Sequence, residues 1–366
     1  MLTLHTAPPR RRGATGLFTD DEYARRRAFF ATRVTPTPLV RLPALSTRLG
    51  LGGVWVKDET SRFGLPAFKS LGVEFAVAAL RGRGELDGVT TLVCASAGNH
   101  GRAVARAARV AGLAARIFLD QDVAPSRLAA IASEGAEIVR VSGTYDDAVR
   151  LAAADAAAAT GSLVMSDTSW DGYEQIPHDI MLGYSHLMDE AAAAWGADGP
   201  PEVLLVQAGV GGLIAAVASW SAWRYGDLRP RLIAVEPARA ACVLASVRAG
   251  HPTAVAGPLT TIMAGLRCGE ISPLAFATLR DLVDGYLAVD DTWCRTAIKQ
   301  LARPEGTDPA LAVGTSGAAG IAALLALAAA PDSTLRERLG LTASDRVMAI
   351  ATEGVTEPEL WHEVVG

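Results

Sequence analysis

Only Lys57, Lys69 and Lys299 are lysines among the 34 basic residues of this 366-residue chain; the others are arginines. In an Ala- and Arg-rich sequence, arginine has filled most places where charge alone is needed. It cannot supply a nucleophilic amine, because its guanidinium is planar, delocalised and always protonated. Lys69 lies in Arg62-Phe63-Gly64-Leu65-Pro66-Ala67-Phe68-Lys69-Ser70-Leu71-Gly72, after one expected strand and at an expected helix start. An amine held there could form a Schiff base with a carbonyl compound. A chance survivor of the compositional drift is the competing explanation.

Two glycine-bearing segments bear on that choice. Gln207-Ala208-Gly209-Val210-Gly211-Gly212-Leu213 follows an apolar strand and opens a helix. Its glycines permit close backbone approach, and exposed N–H groups at a helix start bind anions. It contains no Lys or Arg, and no Gly-Lys-Ser/Thr follows, so it is not a nucleoside-triphosphate loop. A neutral cradle of this kind suits one phosphate monoester; a plain strand–helix turn is the alternative. The second segment is Ser96-Ala97-Gly98-Asn99-His100-Gly101. Its backbone could hold a substrate carboxylate, with the Asn99 amide free for a cofactor hydroxyl. His100 could act as a base, but at a helix start it could equally cap or pack.

The elements that must position these residues alternate along the chain. Strands are expected at Thr90–Ala95, Ala115–Leu119, Glu137–Val141, Leu163–Ser166, Glu202–Gln207, Leu232–Val235 and Arg346–Ala351. Helices are expected at Gly101–Ala111, Ser126–Glu134, Tyr145–Thr160, Ile176–Trp195 and Gly212–Tyr225. This alternation predicts an α/β chain of open, mostly parallel sheets flanked by helices, in two lobes. Residues 1–87 with 191–366 form the larger expected domain, and 88–190 the smaller.

Composition narrows the partners. Half the residues are apolar, a fifth are charged, and the formal net charge is −5. That balance argues against nucleic acid or an anionic membrane. Arg10-Arg11-Arg12 reads as a mobile tail rather than a binding patch. No apolar run reaches the roughly 20 residues of a membrane span; the longest, Ile321 to Ala330, reads as a buried helix. The N-terminus lacks the apolar stretch of a signal peptide. Cys94, Cys242, Cys268 and Cys294 show no metal-ligand spacing, so a reduced, cytoplasmic chain without a metal is expected.

Lys69, the two anion loops and the terminal Ala351-Thr352-Glu353-Gly354 together resemble the fold-type II family of pyridoxal-phosphate enzymes, from Thr37-Pro38-Leu39 to Thr352 in the family's motif order. Within it the chain is similar to the diaminopropionate ammonia-lyases. Val56-Lys57-Asp58-Glu59-Thr60, Asp167-Thr168-Ser169-Trp170-Asp171-Gly172-Tyr173, Met263-Ala264-Gly265-Leu266 with Cys268-Gly269-Glu270, and Ser316-Gly317-Ala318 carry that likeness. Three positions depart from it. Ala97 stands where those enzymes carry an aspartate proposed to act on the D-substrate, Pro66 where Asn is usual, and Thr315 where Glu is usual. Ser-Ala-Gly-Asn-His-Gly is the spelling of threonine and serine dehydratases.

The resemblance implies pyridoxal phosphate held on Lys69, with Phe68, Asn99, Gly209, Val210, Gly211, Gly212, Leu213 and Thr352 around the cofactor. It implies an amino-acid substrate on Ser96, Ala97, Gly98, Asn99 and His100, with Tyr173 bordering the site. Lys69 would remove the α-proton, and Thr352 would face the pyridine nitrogen. Asp167 would steady a β-ammonium group or protonate the leaving group, unless it merely caps its turn. The implied reaction is β-elimination to a 2-oxo acid and ammonia by a homodimer. A serine/threonine dehydratase and a β-replacement synthase remain open. Cys268 and Cys294 read as free thiols, and Asp58 and Glu59 as strand-end charges satisfied locally.

Overall fold

Runs such as Val203–Gln207 are apolar throughout, and a strand of this kind is stable only when both of its faces are covered. The computed structural model describes residues 2–121, 123–142, 145–330 and 334–366. Its strands are β1 (Leu2–Thr6), β2 (Leu39–Arg41), β3 (Gly53–Asp58), β4 (Thr91–Ala95), β5 (Ala114–Asp120), β6 (Glu137–Val141), β7 (Ser162–Val164), β8 (Val203–Gln207), β9 (Arg231–Pro237), β10 (Gly285–Val289) and β11 (Arg346–Ala351). They form two sheets, ordered β1-β10-β9-β8-β11-β3-β2 and β6-β5-β4-β7. All neighbours are parallel except the edge strands β1 and β2, which pair antiparallel with β10 and β3. The mostly parallel α/β layering expected from the sequence is present.

Side-chain alternation divides the larger sheet into two cores. Leu204, Val206, Leu232, Ala234, Met348 and Ile350 join one core with the Gly212–Tyr225 helix. Val203, Leu205, Ile233, Val235, Val347 and Ala349 join the other, with the Ala319–Ala329 helix. This is the period-two geometry of a strand covered on both faces.

The segment leading to Lys69 is fixed by a buried ionic cluster. Lys57 Nζ lies 3.0 Å from Glu59 Oε1 and 2.8 Å from Glu190 Oε2. Arg62 donates to Glu59 at 2.6 and 2.9 Å and to Glu190 at 2.7 and 2.8 Å. Asp58 is satisfied locally, by the Thr60 N–H and hydroxyl. Glu59 is also met locally, by Lys57 and Arg62, and the more distant Thr37 hydroxyl adds a donor at 2.7 Å. Beyond Arg62, the chain turns through Phe63 at φ +54° and Gly64 at φ +76°. Arg62 and Leu65 then exchange backbone hydrogen bonds at 2.8 and 2.9 Å.

Two expectations need correction. The helix expected over Ile176–Trp195 is two helices, Gln175–Tyr184 and His186–Trp195. They meet at Ser185, whose hydroxyl donates to Leu182 O at 2.6 Å and accepts from the buried Arg26. The arginine run is no loose tail: Arg10 donates to Asp284 at 2.6 Å and to the carbonyls of Arg229 and Pro230, and Arg11 lies 3.6 Å from Asp281. This fastens the residues after β1 beside β10. Strands β1, β2 and β10 were not legible, because short edge strands and an isolated apolar five-residue run carry little periodicity.

The Lys69–Gly82 and Gln175–Tyr184 helices cross where glycines face each other. A Cβ on Gly72 would lie 2.4 Å from Tyr184 Cε1 and 2.7 Å from Ile180 O; one on Gly183 would lie 2.7 Å from Gly72 Cα. Gly72→Ala should therefore destabilise the protein by about 1–3 kcal/mol through overpacking. A melting temperature equal to that of the parent chain would contradict this crossing.

Candidate active site

Five strand ends deliver the chemistry-bearing residues: β3 leads to Lys69, β4 to Ser96–His100, β7 to Asp167, β8 to the glycine loop and β11 to Thr352. All are carboxyl ends of parallel strands, the edge at which α/β sheets bind ligands. Backbone pairing joins two of these ends: Phe68 N–H donates to Thr352 O at 3.2 Å and Gly354 N–H to Pro66 O at 2.9 Å.

Lys69 Nζ lies 2.6 Å from Asp167 Oδ2. Burial by itself lowers the Lys69 pKa, but Asp167 and the Tyr184 hydroxyl outweigh it and hold the amine above its ordinary value. Burial likewise pushes Asp167 up, while His100 and Lys69 bring its carboxyl below the usual range. His100 is itself pushed down by burial, so it is neutral near pH 7 and Lys69 supplies the lasting cation. His100 Nε2 meets Met165 O at 2.9 Å, and Nδ1 stands 3.7 Å from Asp167 Oδ2. With a carbonyl at Nε2 the proton resides there, which leaves a lone pair on Nδ1.

The Asn99 amide donates to Glu353 Oε2 at 2.5 Å, and Glu353 Oε1 accepts from Ser316 N–H at 2.8 Å. Ser316 Oγ in turn accepts from Gly265 N–H at 2.9 Å. Thr352 Oγ1 accepts from Gln207 Nε2 at 2.7 Å, so its own proton is free to point elsewhere. An open cleft is lined by Ala97, Gly98, Asn99, Gly265, Glu353 and Arg127 among others. Arg127 crosses to Glu357 at 2.5 Å.

The loop at the end of β8 is a shaped cradle. Gly211, at φ +96°, precedes the Gly212–Tyr225 helix, which has no side-chain cap, so its first N–H groups point out of the helix end. A Cβ on Gly209 would lie 3.0 Å from Cys268 Sγ, and one on Gly211 2.9 Å from Ala275 Cβ. Val210 O accepts from Ser272 N–H at 2.9 Å, and the Ser272 hydroxyl pairs with Ser169 Oγ at 2.7 Å. That chain of bonds ties the cradle to the Asp167 loop. An uncapped helix start with Cβ-free walls fits a phosphate, the Thr352 proton fits an aromatic nitrogen, and the Lys69 amine fits an aldehyde. The residues present therefore suit pyridoxal phosphate.

A family model described as pyridoxal-phosphate dependent enzyme matches residues 31–353. The chain belongs to this family. Among pyridoxal-phosphate enzymes, the diaminopropionate ammonia-lyase of Escherichia coli K12 is 38% identical over 347 residues, covering 90% of this chain and 87% of the relative. The L-threonine dehydratase of Bacillus subtilis 168 is 28% identical over 294 residues, covering 80% and 64%. The crystal structure of the E. coli diaminopropionate ammonia-lyase with an aminoacrylate–PLP azomethine reaction intermediate superposes with a TM-score of 0.92 at 35% identity, covering 100% and 97%. The fold is the fold-type II arrangement, and the cofactor of the family is pyridoxal phosphate.

The sequence expectations meet this geometry unevenly. Lys69, Asp167 and His100 come together, and the Phe68 ring packs against Tyr184 at 4.7 Å beside the amine. Gly98 N–H donates to Ser96 Oγ at 3.3 Å, and a Cβ on Gly101 would meet Ser96 O at 2.1 Å, so the loop is tightly wound. The Tyr173 hydroxyl is occupied by Ser166 N–H and Val164 O, both at 2.9 Å, and its ring stacks on Trp170 at 4.0 Å. It shapes the Asp167 loop and offers no free hydroxyl to a substrate. All four cysteines are free. Cys294 Sγ donates to Thr315 O at 3.1 Å, and burial pushes the Cys268 thiol up to about 12.

Three residues escaped the sequence reading. Glu353 stood inside the noted Thr-Glu-Gly segment, and Gln207 is the only polar residue of β8; both signals were present. Tyr184 lies in an apolar helical stretch, with nothing to mark it.

The Lys69–Asp167 pair carries a pH signature. Asp167 has its folded pKa depressed, so its contribution is present above the unfolded value of about 3.9 and is lost as pH falls through the folded one. Lys69 has its pKa raised, so its contribution is complete below its unfolded value, across the neutral range. Asp167→Asn should therefore flatten the acid limb of apo-protein stability below about pH 4. Urea unfolding from pH 2 to 7 measures this; identical acid limbs would refute the pairing.

Proposed function

We propose that this pyridoxal-phosphate enzyme catalyses the α,β-elimination of ammonia from 2,3-diaminopropionate, or a closely related β-substituted L-alanine, giving a 2-oxo acid and ammonia. The observation carrying this reading is the Lys69–Asp167 pair at 2.6 Å, in a chain 38% identical to a diaminopropionate ammonia-lyase. Lys69 would hold the cofactor, with the Gly209–Leu213 backbone on its phosphate, Thr352 toward its ring nitrogen, Asn99 on a ring substituent and Phe68 beside it. When bound, the cofactor supplies an electron sink for charge developing at the substrate α-carbon.

The chain's own residues then have distinct tasks. The backbone of Ser96, Ala97, Gly98 and Asn99 binds the substrate carboxylate, with His100 supporting that loop. The Lys69 amine takes the α-proton. Asp167 steadies the resulting ammonium and faces the β-substituent as it leaves. A neutral hydroxyl at Thr352 leaves the ring nitrogen unprotonated, which restrains the sink and favours elimination. The substrate is a small amino acid, the resemblance supports a homodimer in the cytoplasm, and 1–87 with 191–366 and 88–190 are the two domains. A serine/threonine dehydratase is the second reading, favoured by Ala97 in the Ser-Ala-Gly-Asn-His-Gly loop lining the cleft.

Borohydride should fix the cofactor on Lys69 and remove the yellow colour, and Lys69→Ala should lower turnover by at least about 100-fold. Ammonia and 2-oxo acid release from L-diaminopropionate, L-serine and L-threonine, measured together, separates the two readings; a kcat/KM highest for L-serine or L-threonine selects the dehydratase. Ala97 supplies no base on its side of the substrate, so L-diaminopropionate should be preferred over the D-isomer by at least about 100-fold. Equal turnover of the two isomers would rule out that stereochemical argument.

A further inference from the structure

The hydroxyl of Tyr184 is fully buried and makes no hydrogen bond of normal geometry among the described residues. A buried polar group without a partner is destabilising and calls for an explanation. Phenylalanine would fill the same space without the unpaired oxygen. The ring is also closely fitted: its Cε1 leaves no room for a Cβ on Gly72, and it packs edge-to-face with the Phe68 ring at 4.7 Å between centroids. This fit holds the phenol beside Lys69, whose Nζ lies 5.3 Å from the Tyr184 ring centroid and 2.6 Å from Asp167.

We infer that Tyr184 is a positioning residue for the Lys69 amine, its hydroxyl and the Asp167 carboxylate taking two of the three N–H directions of the ammonium. The third direction is then left for the reacting atoms. An ammonium has three donors and no acceptor, so two fixed partners determine where the last hydrogen points. This inference rests on Lys69 acting as the base in the reaction proposed above. The proton inventory closes without an added reactant. While the amine is neutral, the phenol donates to its lone pair. Once the amine has taken the α-proton, the hydroxyl turns and accepts. The phenol keeps its own proton throughout, because burial raises its pKa further above the physiological range. The charged and titratable groups facing it are Lys69, Asp167 and Cys94, with His100 behind Asp167.

Tyr184→Phe in the cofactor-loaded enzyme tests the assignment. The expected result is a fall in kcat of about 10-fold or more with little change in KM. The pH limb reporting the Lys69 amine should move to lower pH, because one of the groups raising its pKa is gone. The melting temperature should stay level, because the phenylalanine ring fills the same space. A wild-type kcat and pH profile would overturn the assignment. So would a kcat loss accompanied by a fall in melting temperature, which marks an ordinary packing role. The Lys69 amine is also titrated in cofactor-free protein, by the pH dependence of its reductive methylation, in parent and variant. If the parent releases no ammonia from any substrate above, the proposed reaction fails, while an unshifted Lys69 titration in the variant would refute Tyr184 independently.

Discussion

The buried cluster of Lys57, Glu59, Arg62 and Glu190 is the constraint from which the rest of the site follows. Removing four charges from water is expensive and is tolerated only when each finds partners of opposite sign and good geometry. Here each carboxylate receives both a guanidinium and an ammonium, and the Thr37 carbonyl takes a further Lys57 donor at 2.9 Å. The cluster joins β3, the residues before β2 and the His186–Trp195 helix at one point. Arg62 is also the first residue of the tight turn that ends at Lys69. Ser70 Oγ bonds Arg62 O at 3.2 Å, closing the turn on itself. The amine is thus placed by a rigid, charge-locked support rather than by a free loop.

That support explains the lysine pattern more fully than chemistry at Lys69 alone. Lys57 is a compact point charge in a fully buried space shared with Thr37 and two carboxylates, whereas Arg62 uses its planar fork to bridge those carboxylates. Neither could exchange for the other without a steric clash or an unmet donor. Lys299 is exposed near the end of its helix, where a cation favourably meets the helix dipole. Two of the three lysines therefore have places that arginine cannot take.

The reacting centre works by opposed electrostatics. Burial disfavours charge on Lys69, Asp167 and Glu353 alike, so each depends on its neighbours. Lys69 and Asp167 satisfy one another. The Glu353 carboxylate accepts hydrogen bonds from the Asn99 amide and the Ser316 N–H, yet burial holds it above its ordinary range. The neutral glycine cradle leaves phosphate recognition to backbone dipoles and adds no positive charge that would compete for Asp167.

What the sequence determined by itself was local. Apolar strand runs ending in glycine loops, an amine at a helix start and Thr-Glu-Gly after the last strand made the layering, the cradle and Lys69 legible, because turns and anion sites are built from neighbours in the chain. The tertiary structure decided what depends on distance. That Asp167 meets Lys69, that Glu353 holds Asn99, that Gln207 orients Thr352 and that Tyr184 faces the amine all follow from parallel strands ending at one edge. Parallel connections bring together residues about a hundred or more positions apart, and no periodicity encodes such pairings. Tyr184 shows the limit most clearly: its helix face is apolar in sequence, and only the Gly72–Gly183 crossing brings its ring beside Lys69.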